Sequence, residues 1–186
     1  MKKQKEILKD LKIDKTWTLF LDRDGVINKK LEKDYVKSFD EFEFLPGVID
    51  ALKILSSIFG KIIIVTNQRG IGRGLMSEKD LENIHLHMLN ILNHHNITIT
   101  KIYHCPHDYE KEECNCRKPK IGMALMAKKD FPDIDFSKSI MIGDSISDID
   151  FGKNAGMISI LINENSDMAS LKDFALYLQA SVFSYL

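Results

Sequence analysis

The stretch TWTLFLDRDGVIN, residues 16–28, decides the fold because a run of strand-forming residues ends abruptly in acidic ones. The residues TWTLFL favour a β-strand, and Gly25 turns the chain away directly after Asp22 and Asp24. Four later apolar runs have the same character. They are KIIIVTN at 61–67, ITITKIYHC at 97–105, SIMIGD at 139–144 and MISILI at 157–162.

Helical patterns lie between these strands. They begin at Pro46 and Gly47, and then span about 77–93, about 120–129 and about 149–154. Strands that alternate with helices imply right-handed crossovers, so we predict an α/β fold with one Rossmann-like, doubly wound parallel sheet. Polar residues follow four of the strands, and ligands bind beyond the carboxyl ends of such strands. We therefore expect one site at that edge.

The bulk composition fits one soluble domain. We predict a domain over residues 16–186 and an N-terminal extension over residues 1–15, to which we assign no function. The net charge of -1 in 186 residues gives no general attraction to nucleic acid. No apolar run approaches the length of a membrane helix, and the N-terminus lacks the pattern of a secretory signal. We expect a cytoplasmic monomer with no membrane or nucleic-acid partner.

Asp22 and Asp24 are two residues apart at a strand end, so their side chains can point the same way. One carboxylate can attack phosphorus and form an acyl phosphate. The other can protonate the leaving alcohol and then deprotonate the hydrolytic water. Taken alone, Asp-Arg-Asp-Gly could equally be a polar turn.

Asp144 adds a third carboxylate at another strand end, and Asp148 follows four residues later. Clustered acids repel one another without a cation, and hard oxygen ligands suit Mg²⁺. A magnesium site is therefore expected. Asp144 could instead cap a helix, and Asp148 could be a solvated acid in the first helical turn.

Thr66 and Asn67 end the second strand and can donate hydrogen bonds to phosphoryl oxygens, while Lys118 can supply positive charge. Each has an ordinary structural interpretation. The hydroxyl could be a local cap, and the lysine could lie on a solvated face.

Three sulfurs and one imidazole are spaced as a tetrahedral zinc set in Cys105, His107, Cys114 and Cys116. We predict a structural zinc that pins this loop, against the alternative of reduced surface cysteines and a capping histidine. His104 is expected to point away from the set. The other histidines are interpreted as ordinary residues of a helix surface: His85, His87, His94 and His95.

Together, DRDGVIN, TNQ, the lysine of CRKPK and GDSISD resemble the four motifs of haloacid dehalogenase-superfamily phosphatases, over about residues 16 to 162. The resemblance implies that Asp22 is the nucleophile and Asp24 the acid/base. It also implies that Thr66 and Lys118 hold the phosphoryl group. Mg²⁺ would be bound by Asp22, the backbone carbonyl of Asp24 and Asp144.

The CPH and CNCRKP segments narrow the resemblance to two groups, the heptose-bisphosphate phosphatases and the histidinol-phosphate phosphatases. The stretch TNQRGIGRG favours the heptose group, whereas the short loop between CPH and CNC is closer to the histidinol type. The intervals between motifs leave no room for a large cap domain. Ser145 stands where heptose phosphatases often have a lysine.

The resemblance implies a small phosphorylated sugar as substrate. A second phosphate would be bound by Arg69, Arg73 or Arg117, because arginine can fork onto phosphate oxygens. The sugar would contact Asn28, Asp34 and Tyr35. The remaining expected substrate contacts are Arg23, Asn67, Gln68 and Ser145.

Three alternatives stay open at this point. The substrate could be histidinol phosphate or another small phosphomonoester. The chain could be a catalytically silent, zinc-stabilised binding domain, although its complete acidic set argues against this. It could also be a nucleic-acid 3′-phosphatase, which the near-neutral charge disfavours.

Overall fold

A computed structural model describes residues 4–32 and 34–183 of the chain. Five strands form one sheet, in the spatial order β3-β2-β1-β4-β5, and every neighbouring pair is parallel. The strands are β1 (Thr18–Leu21), β2 (Lys61–Asn67), β3 (Lys101–Cys105), β4 (Ser139–Gly143) and β5 (Ile158–Leu161). The strand order reverses beside β1, which places the end of β1 at the ligand-binding crevice of a doubly wound sheet.

Helices cover both faces of this sheet. They are α1 (Gln4–Leu8), α2 (Val48–Ile58), α3 (Arg69–Gly72), α4 (Glu78–His94), α5 (Gly122–Asp130), α6 (Ile146–Ala155) and α7 (Leu171–Phe183), with 3₁₀ turns at Phe39–Glu41 and Phe136–Lys138. The predicted helices and strands are present with shifts of a few residues at their ends. Helix α7 was not predicted, although Leu171, Phe174 and Leu178 have helical spacing and are buried.

Side-chain alternation along the strands divides the interior into two cores. In β1, Leu19 and Leu21 contribute to the core under α2, α4 and α7, whereas Phe20 contributes to the core under α5 and α6. Ile64 of β2 and Ile142 of β4 lie with the first group. This alternation is the period of two that a pleated strand imposes, and burial on both faces is typical of a parallel sheet.

The segment before β1 contacts the end of the chain. The Gln4 side chain donates to the carbonyl of Leu161 at 2.9 Å and accepts from its amide at 2.6 Å, so it continues the hydrogen bonding at the outer edge of β5. Leu8 and Ile13 are buried in the first core. The division of the chain into an extension over residues 1–15 and a domain over residues 16–186 remains a prediction. Residues 1–3 of that extension and residues 184–186 of that domain lie outside the described part of the chain.

Between the elements, the described chain has no inserted domain, as expected from the motif intervals. The long connections run over residues 22–47 and 106–121 and both border the carboxyl end of the sheet. Among the described residues, no helix is long and apolar enough to span a bilayer.

Candidate active site

A cavity of about 180 Å³ opens at the carboxyl ends of β1, β2 and β4. The sequence-predicted residues that line it are Asp22, Asp24, Asp34, Tyr35, Thr66, Asn67, Lys118, Asp144 and Ser145. Residues 30–31 and 34–36 also line it, as do residues at the start of α6. The four motifs that lie far apart in the sequence therefore meet in one place.

Asp22 and Lys118 form a buried ion pair at the centre of the cavity. Lys118 Nζ lies 2.8 Å from Asp22 Oδ1 and 2.6 Å from Asp148 Oδ1, and it donates to the carbonyl of Val65 at 2.8 Å. The backbone amide of Arg23 donates to Asp22 Oδ1 at 2.7 Å. Burial raises the pKa of Asp22 to about 7, against the opposing effect of Lys118. A divalent cation beside it would favour the ionised, nucleophilic form.

The carboxylate of Asp24 is held by donors on both oxygens. Arg23 Nη2 donates to Oδ1 at 3.0 Å and to Oδ2 at 2.9 Å. Asn28 Nδ2 donates to Oδ1, and Gln68 Nε2 donates to Oδ2, each at 2.9 Å. Although burial opposes it, these partners lower the pKa of Asp24. The side chain keeps 24% exposure toward the cavity, so its direction is fixed while it remains accessible.

The expectation that Arg23, Asn28 and Gln68 contact substrate directly is not met by this geometry. Each is at most 1% exposed, and none lines the cavity. Their donors are used beneath the cavity to hold Asp24, and Gln68 also donates to Thr66 Oγ1 at 2.8 Å. They are positioning groups in this structure.

Three carboxylates could hold a metal ion. Oxygens of Asp22, Asp144 and Asp148 lie within 4.8 Å of one another. Asp144 Oδ1 is buried without a hydrogen-bond partner among the described residues, and hard oxygen donors of this kind suit Mg²⁺. The residues present therefore fit the expected ion, with Asp22 and Asp144 as side-chain ligands. At Gly25, which has φ of +88°, an added Cβ would meet Asp144 Oδ2 at 2.2 Å, so only glycine permits this approach.

Asp148 is not a solvated first-turn acid. It is fully buried, it pairs with Lys118, and its Oδ2 accepts from the Ser145 hydroxyl at 2.6 Å and from the Ser145 amide at 3.1 Å. These bonds form a capping box at the start of α6. Asp148 therefore fixes both Lys118 and the turn that carries Asp144.

Thr66 and Asn67 take different positions at the end of β2. Thr66 lines the cavity but is 1% exposed. The Asn67 amide brackets the backbone of Lys118, because its oxygen accepts from the Lys118 amide at 3.1 Å and its nitrogen donates to the Lys118 carbonyl at 3.3 Å. Asn67 thereby ties the cysteine-bearing loop to the sheet.

The four predicted zinc ligands converge. The sulfur atoms of Cys105, Cys114 and Cys116 and a ring nitrogen of His107 lie within 4.8 Å of one another. The Cys105 sulfur is 3.6 Å from the Cys114 sulfur and 2.8 Å from the Cys116 sulfur, whereas tetrahedral zinc with 2.3 Å bonds requires roughly 3.8 Å. The second pair would have to move apart to bind the ion. His104 lies outside the set and contacts Glu78 at 2.9 Å, as expected.

The three arginines expected at a second phosphate do not line the cavity. Arg69 contacts Asp108 and Glu110, each at 2.6 Å, and its guanidinium lies 4.1 Å from the ring centre of Tyr109. The Arg117 guanidinium lies 4.5 Å from the same ring. Arg73 is exposed. For Arg69 these ion pairs disfavour a contact with a second phosphate, because its charge is already neutralised by two carboxylates of the cysteine-bearing loop.

Sequence reasoning missed three groups around the site. Lys30 and Ser147 line the cavity, and Lys30 Nζ lies 2.8 Å from Asp144 Oδ2. His85 is not an ordinary residue of a helix surface, since its Nε2 lies 3.2 Å from Arg23 Nη1. Burial and the charge of Arg23 lower its pKa to about 3. No spacing in the sequence signals Lys30, because it lies in an irregular connection.

Comparison with known proteins places this geometry in a family. Residues 18–179 match the family model described as polynucleotide kinase 3 phosphatase. The chain belongs to this family of haloacid dehalogenase-like phosphatases. The family confirms the fold expected from the motifs and the expected class of enzyme, a phosphatase.

Relatives narrow the similarity within the family. The D-glycero-alpha-D-manno-heptose-1,7-bisphosphate 7-phosphatase of Campylobacter jejuni is 46% identical over 151 residues, which are 81% of this chain and 84% of that protein. The corresponding beta-heptose phosphatase of Haemophilus influenzae is 42% identical over 142 residues, 74% of this chain and 76% of that protein.

A solved structure has the same architecture. The D,D-heptose 1,7-bisphosphate phosphatase of B. bronchiseptica, complexed with magnesium and phosphate, aligns with a TM-score of 0.79 at 29% identity, covering 88% of this chain and 98% of that one. The resemblance to the heptose-bisphosphate phosphatase group is thus confirmed.

Proposed function

We propose that this protein removes the 7-phosphate of D-glycero-D-manno-heptose 1,7-bisphosphate through an aspartyl-phosphate intermediate. The observation that carries the proposal is the pairing of Asp22 with Lys118 beside a separately held Asp24, in a chain 46% identical to an enzyme of that name. Two carboxylates in different surroundings can take different roles in one reaction.

The first half of the reaction follows from the positions of these groups. Asp22 attacks phosphorus, the bond from phosphorus to the C7 oxygen breaks, and protonated Asp24 gives its proton to that oxygen. The partners of Asp24 favour its ionised form in the free enzyme. Bound phosphate, as a nearby negative charge, opposes that effect and favours the protonated acid.

The second half regenerates the enzyme. Asp24 accepts a proton from water, the water oxygen attacks phosphorus, and the bond between phosphorus and Asp22 breaks to release inorganic phosphate. Lys118 stays beside Asp22 and offsets negative charge throughout. Mg²⁺ bound by Asp22 and Asp144 would neutralise charge on the phosphoryl oxygens. We also include the backbone carbonyl of Asp24 in the proposed ligand set.

The substrate contacts proposed for the sugar are Asp34 and Tyr35, which line the same cavity as Ser145 and Ser147. Thr66 is proposed to contact the transferred phosphoryl group. Arg73 and Arg117 remain candidates for the second phosphate, because among the described residues neither has a carboxylate partner of the kind that occupies Arg69.

We further propose that Cys105, His107, Cys114 and Cys116 bind structural Zn²⁺. The ligand cluster supports this, together with the polar composition of a loop that could not hold itself by apolar packing. Cys116 and Lys118 are two residues apart, so the ion would also position the catalytic lysine. Reduced thiols favour a cytoplasmic location. A monomeric state completes the proposal.

The test is Mg²⁺-dependent phosphate release from both C1 anomers of the heptose bisphosphate, beside histidinol phosphate and a 3′-phosphorylated oligonucleotide. We expect the highest kcat/KM with one heptose anomer and no turnover by Asp22→Asn. The relatives carry both anomeric names, so the preferred anomer assigns this chain to one of them. Preference for histidinol phosphate or for the oligonucleotide would overturn the proposed substrate.

A further inference from the structure

A chain of three side chains, with a fully buried one in the middle, leads away from the cavity beneath the acid/base carboxylate. Arg23 Nη2 donates to both oxygens of Asp24, and Arg23 Nη1 lies 3.2 Å from His85 Nε2 on α4. The Arg23 side chain is 0% exposed. A fully buried guanidinium therefore joins the carboxylate that faces substrate to an imidazole on a covering helix.

The alternation of β1 explains why Arg23 points toward α4. Leu19 and Leu21 face the core under α2, α4 and α7, and Arg23 continues the same odd-numbered series past the end of the strand. Asp22 belongs to the other series. The carboxylates of Asp22 and Asp24 therefore reach the cavity, whereas the side chain of Arg23 between them points into the protein.

The protonation state of His85 follows from its partner. A guanidinium has only donors, so His85 Nε2 must accept, and the ring proton then lies on Nδ1. The lowered pKa of the ring is consistent with this neutral form. His104, whose ring centre is 6.4 Å away, is turned to Glu78 and does not compete for Arg23.

We propose that His85 is a positioning residue for catalysis, which holds Arg23 and through it the acid/base carboxylate of Asp24. Arg23 uses a single nitrogen on both oxygens of Asp24, so this contact alone does not fix the orientation of the guanidinium plane. The acceptor at His85 supplies the second fixed point. Arg23 Nε has no partner among the described residues, so no bond from that atom takes over this role.

The inference rests on the acid/base role proposed for Asp24, and leaving-group chemistry tests it. An alkoxide leaving group needs the proton of Asp24, whereas p-nitrophenolate leaves without one. The ratio kcat/KM reports the steps through departure of the leaving group and excludes hydrolysis of the aspartyl phosphate. A misplaced Asp24 therefore lowers kcat/KM for the heptose bisphosphate much more than for p-nitrophenyl phosphate.

Substitutions at His85 separate acceptor from bulk. His85→Leu introduces an apolar side chain of similar width that has no hydrogen-bond acceptor. His85→Gln restores an acceptor at about the same distance from the backbone as Nε2. His85→Asn, whose amide ends one carbon short, replaces His85→Leu if the latter fails to fold. His87→Leu is the matched control, because His87 lies on the same helix but contacts the rings of Phe39 and Phe42.

We expect His85→Leu to lower kcat/KM for the heptose bisphosphate about tenfold or more, with less than about a threefold change for p-nitrophenyl phosphate. His85→Gln should recover the alkyl phosphate activity, and His87→Leu should retain it. Equal losses on both substrates, or no loss on either, would overturn the proposal. If the wild-type enzyme does not hydrolyse the heptose bisphosphate but hydrolyses glycerol 2-phosphate, only the sugar assignment is refuted. The His85 variants are then compared on glycerol 2-phosphate and p-nitrophenyl phosphate.

Discussion

Lys118 Nζ lies 2.8 Å from Asp22 Oδ1, and the Lys118 side chain is 1% exposed. If either the buried ammonium or its carboxylate neighbours are removed, the charge that remains is left buried without a partner. The same contacts therefore determine both the geometry of the proposed catalytic pair and the local stability of the site.

Lys118→Met should abolish most activity and also destabilise the protein. Removal of the charge leaves Asp22 and Asp148 buried without their cation. We expect a loss of about 3–5 kcal/mol in the free energy of unfolding without added Mg²⁺. Chemical denaturation with and without Mg²⁺ measures it. An unchanged midpoint would show that the carboxylates are satisfied elsewhere.

Asp24→Asn should fold normally and bind Mg²⁺ but lower kcat about 10²-fold or more, because it removes the acid and base. The amide can no longer accept all four donated bonds, so a modest fall in melting temperature is also expected. Steady-state kinetics and calorimetry measure the two effects. A wild-type rate would refute the acid/base role.

Lys30→Met should tighten Mg²⁺ binding, because the positive charge of Lys30, 2.8 Å from Asp144 Oδ2, opposes a cation at the same carboxylate. Isothermal titration with Mg²⁺ alone tests this without turnover. Lys29→Met is the matched control, because Lys29 is the adjacent lysine and pairs with the exposed Glu43 instead of Asp144. Weaker or unaltered Mg²⁺ binding by Lys30→Met would contradict the competition.

Cys114→Ser should lower both zinc content and melting temperature, because structural zinc contributes directly to folding energy. Activity should fall as well, since Lys118 follows Cys116 by two residues. Metal analysis of the purified protein and thermal unfolding provide the readouts. Full zinc content at the wild-type melting temperature would remove the structural-zinc proposal.

His85 predicts a pH dependence of stability. Its folded-state pKa is depressed to about 3, beside Arg23, His104 and Asp24, whereas the unfolded ring titrates near 6.5. Its contribution is fully present above about pH 6.5 and is lost as the pH falls toward 3, at most about 1.4 kcal/mol per pH unit. His85→Leu should therefore have a flatter stability curve between pH 6.5 and 4.5 than wild type or His87→Leu. Equal slopes would contradict the neutral buried ring.

The sequence specified the groups whose chemistry depends on position along a strand. Asp22, Thr66 and Asp144 each follow an apolar run, and parallel strands bring such ends together without knowledge of any side-chain contact. The cysteine spacing similarly predicted which four side chains lie together, because a tetrahedral ligand set can be recognised from residue type and spacing.

Side-chain partners were harder to predict. The odd-numbered alternation of β1 could have shown that Arg23 points inward, but a charged residue beside two catalytic acids was assigned to substrate. Arg69 was assigned to phosphate for the same reason, whereas Asp108 and Glu110 lie about forty residues away and no local pattern pairs them with it. Lys30 lies in irregular chain, where spacing carries no directional information.

Because β1 lies between β2 and β4, the backbone that carries Asp22 should resist local unfolding more than the backbone that carries Lys118. Asp22 follows a strand that is hydrogen-bonded on both sides, and its own amide donates to Ile142 at 2.9 Å. Lys118 lies on a loop that is held by Asn67 and by the clustered side chains proposed to bind zinc. In amide hydrogen exchange, the backbone around Asp22 should therefore exchange only through global unfolding, while residues 106–121 exchange through a smaller excursion. Local unfolding of this loop would then move Lys118 away from Asp22 and stop turnover under conditions where the rest of the fold is intact.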